Sequence, residues 1–329
     1  MTAISKPHPI IQSALPPQIR PLKLPGDLRA VADLVELCFE ASLDADGHRL
    51  IRQMRQAASR RGGYPGGSGM VLKVKGFVWV EDGKIVGNIS IIPVVVRHRR
   101  ASLIANVAVH PDHRQKGIAR ALTEVALARI KTSDGNSAVL QVDYHNHHAQ
   151  QLYRSYGFIE KATRTTWHGD GSTQINLPPS VKVRKPIRAD WPYQLKWLDQ
   201  LYNQEVRWNL PFYRNLYSPG FFGIIGRAFH QHQIRQWTST HHGSWIGSLT
   251  WQSSYNQADW LWLAAAPDKL ELATCTLIPT ARQELLNANL IKPGRILAIN
   301  YPAGENLSAF EAIGFRQHNT LIWMQKDFK

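Results

Sequence analysis

The chain has 329 residues, which corresponds to about two domains of ordinary size. Hydrophobic residues make up 43% and charged residues 19%, and this globular composition excludes a largely disordered chain. The formal net charge of +15 is compatible with a polyanionic partner such as a nucleotide cofactor, an acidic substrate or a nucleic acid. A basic soluble surface explains this charge more simply. Nucleic acid is therefore not the expected partner.

Other features of the sequence narrow the class of protein. No apolar run approaches about 18 residues, and no basic-then-apolar signal opens the chain, so we expect a cytoplasmic protein with no membrane partner. Cys38 and Cys275 are far apart, which excludes a disulfide scaffold and a cysteine zinc site. Histidines cluster at 110–113 and 145–148, but no cysteine or carboxylate completes a zinc pattern, and no metal is expected.

The first predicted elements are helical. Residues 1–17 are proline-rich and are interpreted as a flexible N-terminal arm. Apolar residues at helical spacing predict a helix over 28–41, with Asp27 as its N-cap, and a second helix over 48–60. The glycine-rich segment 62–69 is interpreted as a loop, either a plain connector or one near a ligand.

A β-rich region follows. Residues 77–80 and 84–96 predict a hairpin, because Asp82-Gly83 supplies the positive φ that its turn needs. A third strand is predicted over 101–109 and a helix over 117–131. The remaining elements of this half are a strand over 138–144, a helix over 146–156 ended by Gly157, and a strand over 159–167.

A polar linker at 169–182 separates two copies of one pattern. Four short features of the first half recur in the same order in the second half at a nearly constant offset. They are Asp27 and Asp190, 83–87 and 243–247, 108–112 and 264–268, and 152–158 and 309–315. The chain is therefore predicted to hold a domain at 18–168 and a second at 183–329, each one α/β unit.

The turn after the third strand has the chemistry of an anion site. Small residues at Gly117 and Ala119 let the backbone approach a ligand, and the first N–H groups of the helix have no partner inside it. Arg114, Lys116 and Arg120 add positive charge. A tight strand–helix turn without a ligand would account for the same residues, so this signal alone is weak.

Two motifs together are more specific. Arg-Gln-Lys-Gly-Ile-Ala at 114–119 follows a strand and turn at 107–112, and 146–158 reads Asn-His-His-Ala-Gln-Gln-Leu-Tyr-Arg-Ser-Tyr-Gly-Phe. In both motifs the chain resembles the GNAT superfamily of acyl-CoA N-acyltransferases, closely over 18–168 and only as an eroded copy over 181–329. The resemblance implies an α/β (α+β) fold of two tandem GNAT-like domains, each a central mixed β-sheet flanked by helices.

The resemblance also implies a co-substrate, acetyl-CoA, and a set of residues that would bind it. The pyrophosphate would lie on the backbone N–H groups at 115–120, and the pantetheine arm would pair with 107–109 like an extra strand. The implied cofactor-binding residues are Val107, Ala108, Val109, Arg114, Gln115, Lys116, Gly117, Ile118, Ala119, Arg120, Asn146 and Tyr153.

By the same resemblance, Tyr153 would act as general acid toward the departing thiolate, and the backbone N–H of Val107 would stabilise the oxyanion. The alternative for Tyr153 is a ring that packs on its own helix. No general base is assigned, because Ser102 and Leu103 occupy the positions where several family members carry a glutamate. Bases by residue type are Glu40, His110, Asp143 and His145, and a water chain would also serve.

The second copy lacks this chemistry. Residues 270–275 replace the glycine motif and carry Glu271, which would repel a phosphate, and Phe310 replaces the tyrosine. We therefore expect this domain not to bind CoA productively and instead to shape the acceptor pocket.

The leading hypothesis is an enzyme that transfers an acetyl or short acyl group from CoA to a primary amine in a ternary complex. A small-molecule acceptor is preferred to a peptide or protein, and a homodimer is compatible with the sequence. The alternatives are a protein N-acetyltransferase and a non-catalytic acyl-CoA-binding sensor. The acceptor, acyl length, general base, oligomeric state and any contribution of the second domain to the acceptor site are not determined by the sequence.

Overall fold

The computed structural model describes residues 15–40, 43–59, 74–133, 137–173, 179–220, 226 and 230–328. The elements of the first half are β1 (Ile19–Pro21), α1 (Leu28–Phe39), α2 (Ala45–Ser59), β2 (Lys75–Glu81), β3 (Lys84–Val96), β4 (Arg99–Val109), α3 (Ile118–Lys131), β5 (Ser137–Asp143) and α4 (His147–Ser155). Within these ranges no helix is both long enough and apolar enough to cross a membrane.

The second half begins with a strand that follows α4 directly. Its elements are β6 (Ile159–Gly169), β7 (Val181–Arg184), α5 (Trp191–Leu201), α6 (Arg214–Tyr217), β8 (Ile234–His241), β9 (Ser244–Gln252), β10 (Ala258–Ala265), α7 (Leu270–Asn287), β11 (Ile296–Pro302), α8 (Leu307–Ala312) and β12 (Arg316–Asp327).

The chain divides into two compact units that differ from the sequence boundary in three segments. The first unit holds residues 1–141, 147–159 and 324–329, and the second holds 142–146 and 160–323. Most of β6, which the sequence analysis places in the first domain, therefore belongs to the second unit. The reason is its pairing, since β6 runs antiparallel to β11 from Arg164 to Gly169.

The first unit contains a sheet in the order β1-β2-β3-β4-β5. β1 to β4 are antiparallel neighbours and β4 pairs with β5 in parallel. The β2–β3 turn has positive φ at Asp82 (47°) and Gly83 (75°), as the sequence predicts. The apolar faces of α1 and α2 pack on Val78 and Ala108. The two helices therefore cover one side of the sheet.

The second unit repeats this arrangement with the sheet order β12-β6-β11-β10-β9-β8-β7. β10 pairs in parallel with β11 and antiparallel with β9. Its core is rich in aromatic residues, and Trp251, Trp262, Phe310 and Phe315 are each at most 1% exposed. Several tryptophans of this half therefore form its core.

An ion pair at the start of each unit shows the repeat in atomic detail. Arg20 donates to both carboxylate oxygens of Asp27 at 2.6 and 2.9 Å, and Arg184 does the same to Asp190 at 2.6 and 2.8 Å. The Lys23 amide also donates to Asp27. The predicted N-cap role of Asp27 is wrong, because its side chain makes no cap hydrogen bond to α1 and is used by these partners instead.

Further features recur at the offsets that the sequence shows. A register shift follows Trp79 in β2, and another follows Ser239 in β8. Gly157 and Gly314 both have positive φ, at 80° and 84°, where a helix ends and the next strand begins. The two halves are therefore copies of one α/β unit.

The element boundaries agree with the sequence within a few residues. The observed helix α1 begins at the predicted Leu28, and β4 is two residues longer at its start than predicted. Residues 1–14, the glycine-rich segment 62–69 and the middle of the linker lie outside the described residues.

The two arginine–aspartate pairs predict matched losses of stability. Burial alone raises the pKa of Asp27, but the hydrogen bonds from Arg20 and Lys23 outweigh it and hold this pKa below its ordinary value. Asp27→Ala and Asp190→Ala should each lower the free energy of unfolding by about 2 kcal/mol, because a partly buried guanidinium loses its carboxylate. Urea unfolding at neutral pH measures both losses.

The control is Asp268→Ala, which removes an exposed carboxylate and should change stability by less than about 0.5 kcal/mol. Because the folded-state pKa of Asp27 is depressed, its contribution is present above the ordinary carboxyl pKa and is lost as the pH falls through the folded-state value. The Asp27→Ala loss should therefore shrink in acid. A loss that is constant down to low pH would contradict the ion-pair explanation.

Candidate functional site

The site in the first unit begins with an irregularity in β4. Ser90 of β3 pairs with Ala105 and Asn88 pairs with Ala108, so Asn106 and Val107 form a bulge with one residue of β3 opposite both. Asn106 has a φ of 50°. The buried Asn88 holds the bulge, since its Nδ2 donates to the Asn106 carbonyl oxygen at 2.8 Å.

The two parallel strands of this unit separate beside the bulge. β4 and β5 pair at Ser102↔Ala138 and Leu103↔Val139, and their pairing in the described residues ends there. Both strands continue beyond these pairs, to Val109 and Asp143. The carboxyl ends of β4 and β5 are therefore free of each other, and this is where open α/β sheets bind ligands.

The turn after β4 is fixed to the β2–β3 hairpin. His113 Nδ1 lies 2.8 Å from a carboxylate oxygen of Glu81, and the Trp79 indole donates to the other oxygen at 2.8 Å. The bond from Trp79 and the contact with His113 hold the pKa of Glu81 below its ordinary value. His110 Nδ1 accepts from the Asp112 amide, which closes the short 3-10 turn at Pro111–His113.

The start of α3 is built to receive an anion. Gln115 and Gly117 have positive φ, at 63° and 78°, on either side of Lys116. The first amides of α3 have no intrahelical acceptor, and they emerge beside a glycine with open space where a side chain would be. The helix dipole adds positive potential at this point.

A cleft of about 530 Å³ lies between the start of α3 and one face of α4. It is lined by Val109, His113, Arg114, Gln115, Gly117, Ile118, Ala119, Arg120, His148, Gln151, Leu152 and Ser155. Its charged lining residues, apart from histidines, are the two arginines, so the cleft is electropositive. Its shape and charge suit an anionic group attached to a larger molecule.

Seven of the predicted cofactor-binding residues line this cleft, and five do not. Those that line it are Val109, Arg114, Gln115, Gly117, Ile118, Ala119 and Arg120. Val107 lies in the β4 bulge and Ala108 directly follows it. Lys116 is exposed beside the cleft. Asn146 belongs to the other compact unit, and Tyr153 is buried in α4.

The structure shows Tyr153 in the packing role that the sequence left open, and its role as general acid stays a prediction. It is 6% exposed and its ring meets Phe158 edge-on, with centroids 5.8 Å apart, so it packs on its own helix end. Burial raises its pKa to about 12. No hydrogen bond joins its hydroxyl to another of the described residues, so the proton is not committed to a protein acceptor.

The sequence analysis did not identify the face of α4 that lines the cleft. His148, Gln151, Leu152 and Ser155 are spaced by three, one and three residues, so they share one face of a helix. This spacing lay within the recognised motif at 146–158 and could have identified them. His113 was also missed, and its only signal was its place after the strand.

The proposed bases by residue type are not brought to the cleft. Glu40 ends α1, and Asp143 accepts from the His145 amide at 2.7 Å. Neither they nor His110 lines the cleft. Across the described ranges, with their gaps, no group of three histidine, cysteine or carboxylate residues is placed to hold a metal ion.

The corresponding place in the second unit differs in three respects. β10 pairs with β9 in continuous register from Trp260 to Ala265, so it has no bulge there. Lys269, not glycine, precedes α7, and its φ is −120°. Phe310 is fully buried and packs on Trp167, with ring centroids 5.2 Å apart, so it belongs to the core.

Comparison with known proteins finds a family model that matches most of the first unit. Residues 37–158 match the family model described as the acetyltransferase (GNAT) family. This range contains the β4 bulge, the start of α3 and the face of α4 that lines the cleft. No curated protein is significantly similar in sequence to this chain.

Solved structures with the same fold include a tandem protein. A GCN5-related N-acetyltransferase from Sphaerobacter thermophilus has a TM-score of 0.56 at 14% identity, covering 95% of this chain and 97% of that one. A tandem GNAT protein from the clavulanic acid biosynthesis pathway has a TM-score of 0.50 at 14% identity, covering 94% and 98%. A glucosamine N-acetyltransferase region of a fungal β-N-acetylglucosaminidase has a TM-score of 0.53 at 13% identity, covering 94% and 38%. These likenesses show the fold.

The hydrogen bond that holds the β4 bulge predicts a local effect of mutation. Asn88→Ser shortens the side chain so that it no longer reaches the Asn106 carbonyl, and stability should fall by about 1–2 kcal/mol because a buried acceptor loses its donor. Hydrogen exchange of the peptide that contains Asn106 and Val107 should accelerate. The control is Ser248→Ala at the equivalent strand position of the second unit, which should leave exchange of this peptide unchanged. Unchanged exchange in Asn88→Ser would show that Asn88 does not hold the bulge.

Proposed function

We propose that this chain transfers an acetyl or short acyl group from acyl-CoA to a primary amine, because residues 37–158 match the model of the GNAT acetyltransferase family. The observation that carries the proposal is the electropositive cleft at the start of α3, which opens beside the bulged and separated end of β4. A small-molecule amine is the preferred acceptor, and a protein or peptide amine is the alternative.

The residues at 114–120 supply what a pyrophosphate needs. The amides at the start of α3 would donate hydrogen bonds, and Arg114 and Arg120 would balance the charge. Arg114 Nε lies 3.3 Å from the Val109 carbonyl oxygen, so its guanidinium is anchored at the end of β4. We assign Lys116 a supporting electrostatic role, since it is exposed beside the cleft. Asn146 stays a prediction of the sequence motif.

The bulge and the separation of β4 from β5 favour a pairing role for 107–109. An extended arm of the co-substrate would lie along this edge, and the Val107 amide would donate to the oxygen on which negative charge develops. The amine nitrogen forms the new bond to the thioester carbonyl carbon, and the carbon–sulfur bond breaks. The products are an amide and the CoA thiol, and the proton released from the amine balances the thiolate.

The high pKa of Tyr153 limits how it acts. A phenol with a pKa of about 12 stays protonated at every physiological pH, so it always has a hydrogen to donate. Complete transfer to a thiolate whose acid has a pKa near about 8.5 would cost roughly 5 kcal/mol. Tyr153 therefore acts best by hydrogen bonding to the sulfur as charge develops. None of the four bases considered by residue type, Glu40, His110, Asp143 and His145, lines the cleft, so a water chain is assigned to take the proton of the acceptor amine.

Acetyl-CoA binding tests the assignment of the cleft. Isothermal titration calorimetry should give one site per chain, because the second unit lacks the glycine and both arginines. Gly117→Glu should weaken binding at least about tenfold, since it places a carboxylate where phosphate charge is expected.

Gly83→Glu is the matched control. Gly83 also has a positive φ, 75°, and open space for a side chain, so the backbone strain is alike while the cleft is untouched. It should bind acetyl-CoA like the unaltered protein. Two sites per chain, or equal effects of the two glutamates, would contradict the assignment.

Tyr153→Phe separates an enzyme from a binding module. It removes the hydroxyl but keeps the ring packed on Phe158, so acetyl-CoA should bind as before while turnover falls by about 100-fold. Release of the CoA thiol, measured over a panel of amino sugars, polyamines, amino acids and peptides, gives the rate. Tyr156→Phe is the control, because that hydroxyl donates to the Arg120 carbonyl and not into the cleft.

The same panel distinguishes the competing proposals. Turnover with peptides alone would favour a protein N-acetyltransferase over a small-molecule enzyme. Tight acetyl-CoA binding without turnover on any amine would favour a sensor. Equal turnover by Tyr153→Phe and the unaltered protein would refute the role of Tyr153 and leave only its packing.

A further inference from the structure

The second unit contains a cavity of its own where its parallel strands separate. β10 and β11 pair from Ala258↔Ile296 to Trp260↔Ala298, and their pairing in the described residues ends there, although the strands continue to Ala265 and Pro302. A cavity of about 600 Å³ opens at these carboxyl ends. Its walls include Arg164, Trp197, Leu270, Tyr301, Glu305 and Asn306.

Arg164 is a buried cation on the wall of this cavity. It is 3% exposed, yet it forms no ion pair with a carboxylate of the described residues. It donates from Nε to the Asn300 side chain, from Nη1 to the Leu201 carbonyl at 2.9 Å, and from Nη2 to the Asn300 carbonyl at 3.0 Å. Each terminal nitrogen carries a second N–H that these bonds do not use.

Such an arrangement is costly without a counter-ion. A guanidinium removed from water loses its hydration, and protein carbonyl and amide groups replace only part of it. Burial lowers the pKa of Arg164 for this reason. The face of the Tyr202 ring, 5.2 Å from the guanidinium carbon, and the attraction of the exposed Glu305 carboxylate give further but incomplete compensation. An anion in the cavity would complete it.

Tyr301 provides an independent observation. It is 1% exposed, it lines the same cavity, and its hydroxyl makes no hydrogen bond to any residue that the structure describes. Burial raises the pKa of this hydroxyl, so it remains a donor. A hydroxyl on the cavity wall that no described protein group accepts from is available to an acceptor atom of a ligand.

The charge balance of the cavity selects the kind of anion. One guanidinium, that of Arg164, lines the cavity. The exposed carboxylate of Glu305 lines it as well and carries the opposite charge. A phosphate dianion would be poorly matched by one cation beside a carboxylate. A carboxylate carries a single charge and matches the fork of a guanidinium.

We propose that the second unit binds a small carboxylic acid at the carboxyl ends of β10 and β11, its carboxylate on Arg164 and Tyr301 and its apolar part against Trp197 and Leu270. This site does not depend on the proposed acetyl transfer. It is not a second CoA site either, because the residues before and within the start of α7 include Glu271 and lack the glycine that opens the first cleft.

The test uses phenylacetate as probe and the full chain labelled with fluorotryptophan. The fluorine resonance of Trp197, assigned through Trp197→Phe, should shift saturably at millimolar phenylacetate. Phenylacetamide has the same shape without the charge and should bind at least about tenfold more weakly. Benzylphosphonate should also bind more weakly. No saturable shift of Trp197, or equal binding of the amide, would overturn the proposal, and a preference for the phosphonate would overturn the choice of a carboxylate.

Variants locate the site without depending on one buried residue. Tyr301→Phe keeps the ring on Phe310 and should weaken phenylacetate binding several-fold. Glu305→Gln removes the exposed like charge and should tighten binding. Arg164→Lys should weaken it at least about tenfold if the variant folds. Unchanged affinity in both Tyr301→Phe and Glu305→Gln would refute the site even if Arg164→Lys fails to fold.

Discussion

The two candidate ligand sites of this protein depend on the early end of hydrogen bonding between two parallel strands. β4 and β5 pair over two residue positions, and β10 and β11 over three, and then each pair separates while its strands continue. A parallel sheet that stayed paired to its ends would bury these backbone groups against each other. Because the strands separate, these backbone groups lie at an open carboxyl edge of the sheet. Side chains from the turns and helices that follow the strands line this edge. In each unit this constraint produces the cavity that we propose as a ligand site.

The two units use the same edge differently because of a few residues around it. In the first, Asn88 holds a bulge in β4, and Gly117 allows the chain to enter α3 with its amides exposed to the cleft. In the second, β10 has no bulge, and Phe310 fills the core where the first unit has Tyr153. The fold is therefore retained by packing and by the matched pairs Arg20–Asp27 and Arg184–Asp190, while the chemistry at the edge has diverged.

The local sequence predicted most of the elements because their signals are local. The helical spacing of apolar residues predicted α1 and α3, and Asp82-Gly83 predicted the β2–β3 turn. The recurrence of Gly157 as Gly314 indicated the repeat. The prediction failed for the side chain of Asp27, which occupies the N-cap position but pairs with Arg20, seven residues earlier, instead of capping the helix. It also placed β6 in the first domain, because adjacency in sequence carries no information about which strand becomes its neighbour. Its pairing with β11, far along the chain, places it in the second unit.

The sequence by itself determined the family resemblance, the repeat, and the residues at 114–120 as a place for an anion, since each of these is written in short motifs. Only the tertiary structure decided that Tyr153 is buried with a raised pKa and that α4 presents His148 and Gln151 to the cleft. It also decided that Arg164 lines a cavity with Tyr301 and forms no ion pair with a carboxylate of the described residues. These properties depend on burial and on contacts between residues remote in the chain. Burial changes the cost of a charge or a proton, and no local pattern specifies which remote groups will share a dry cavity.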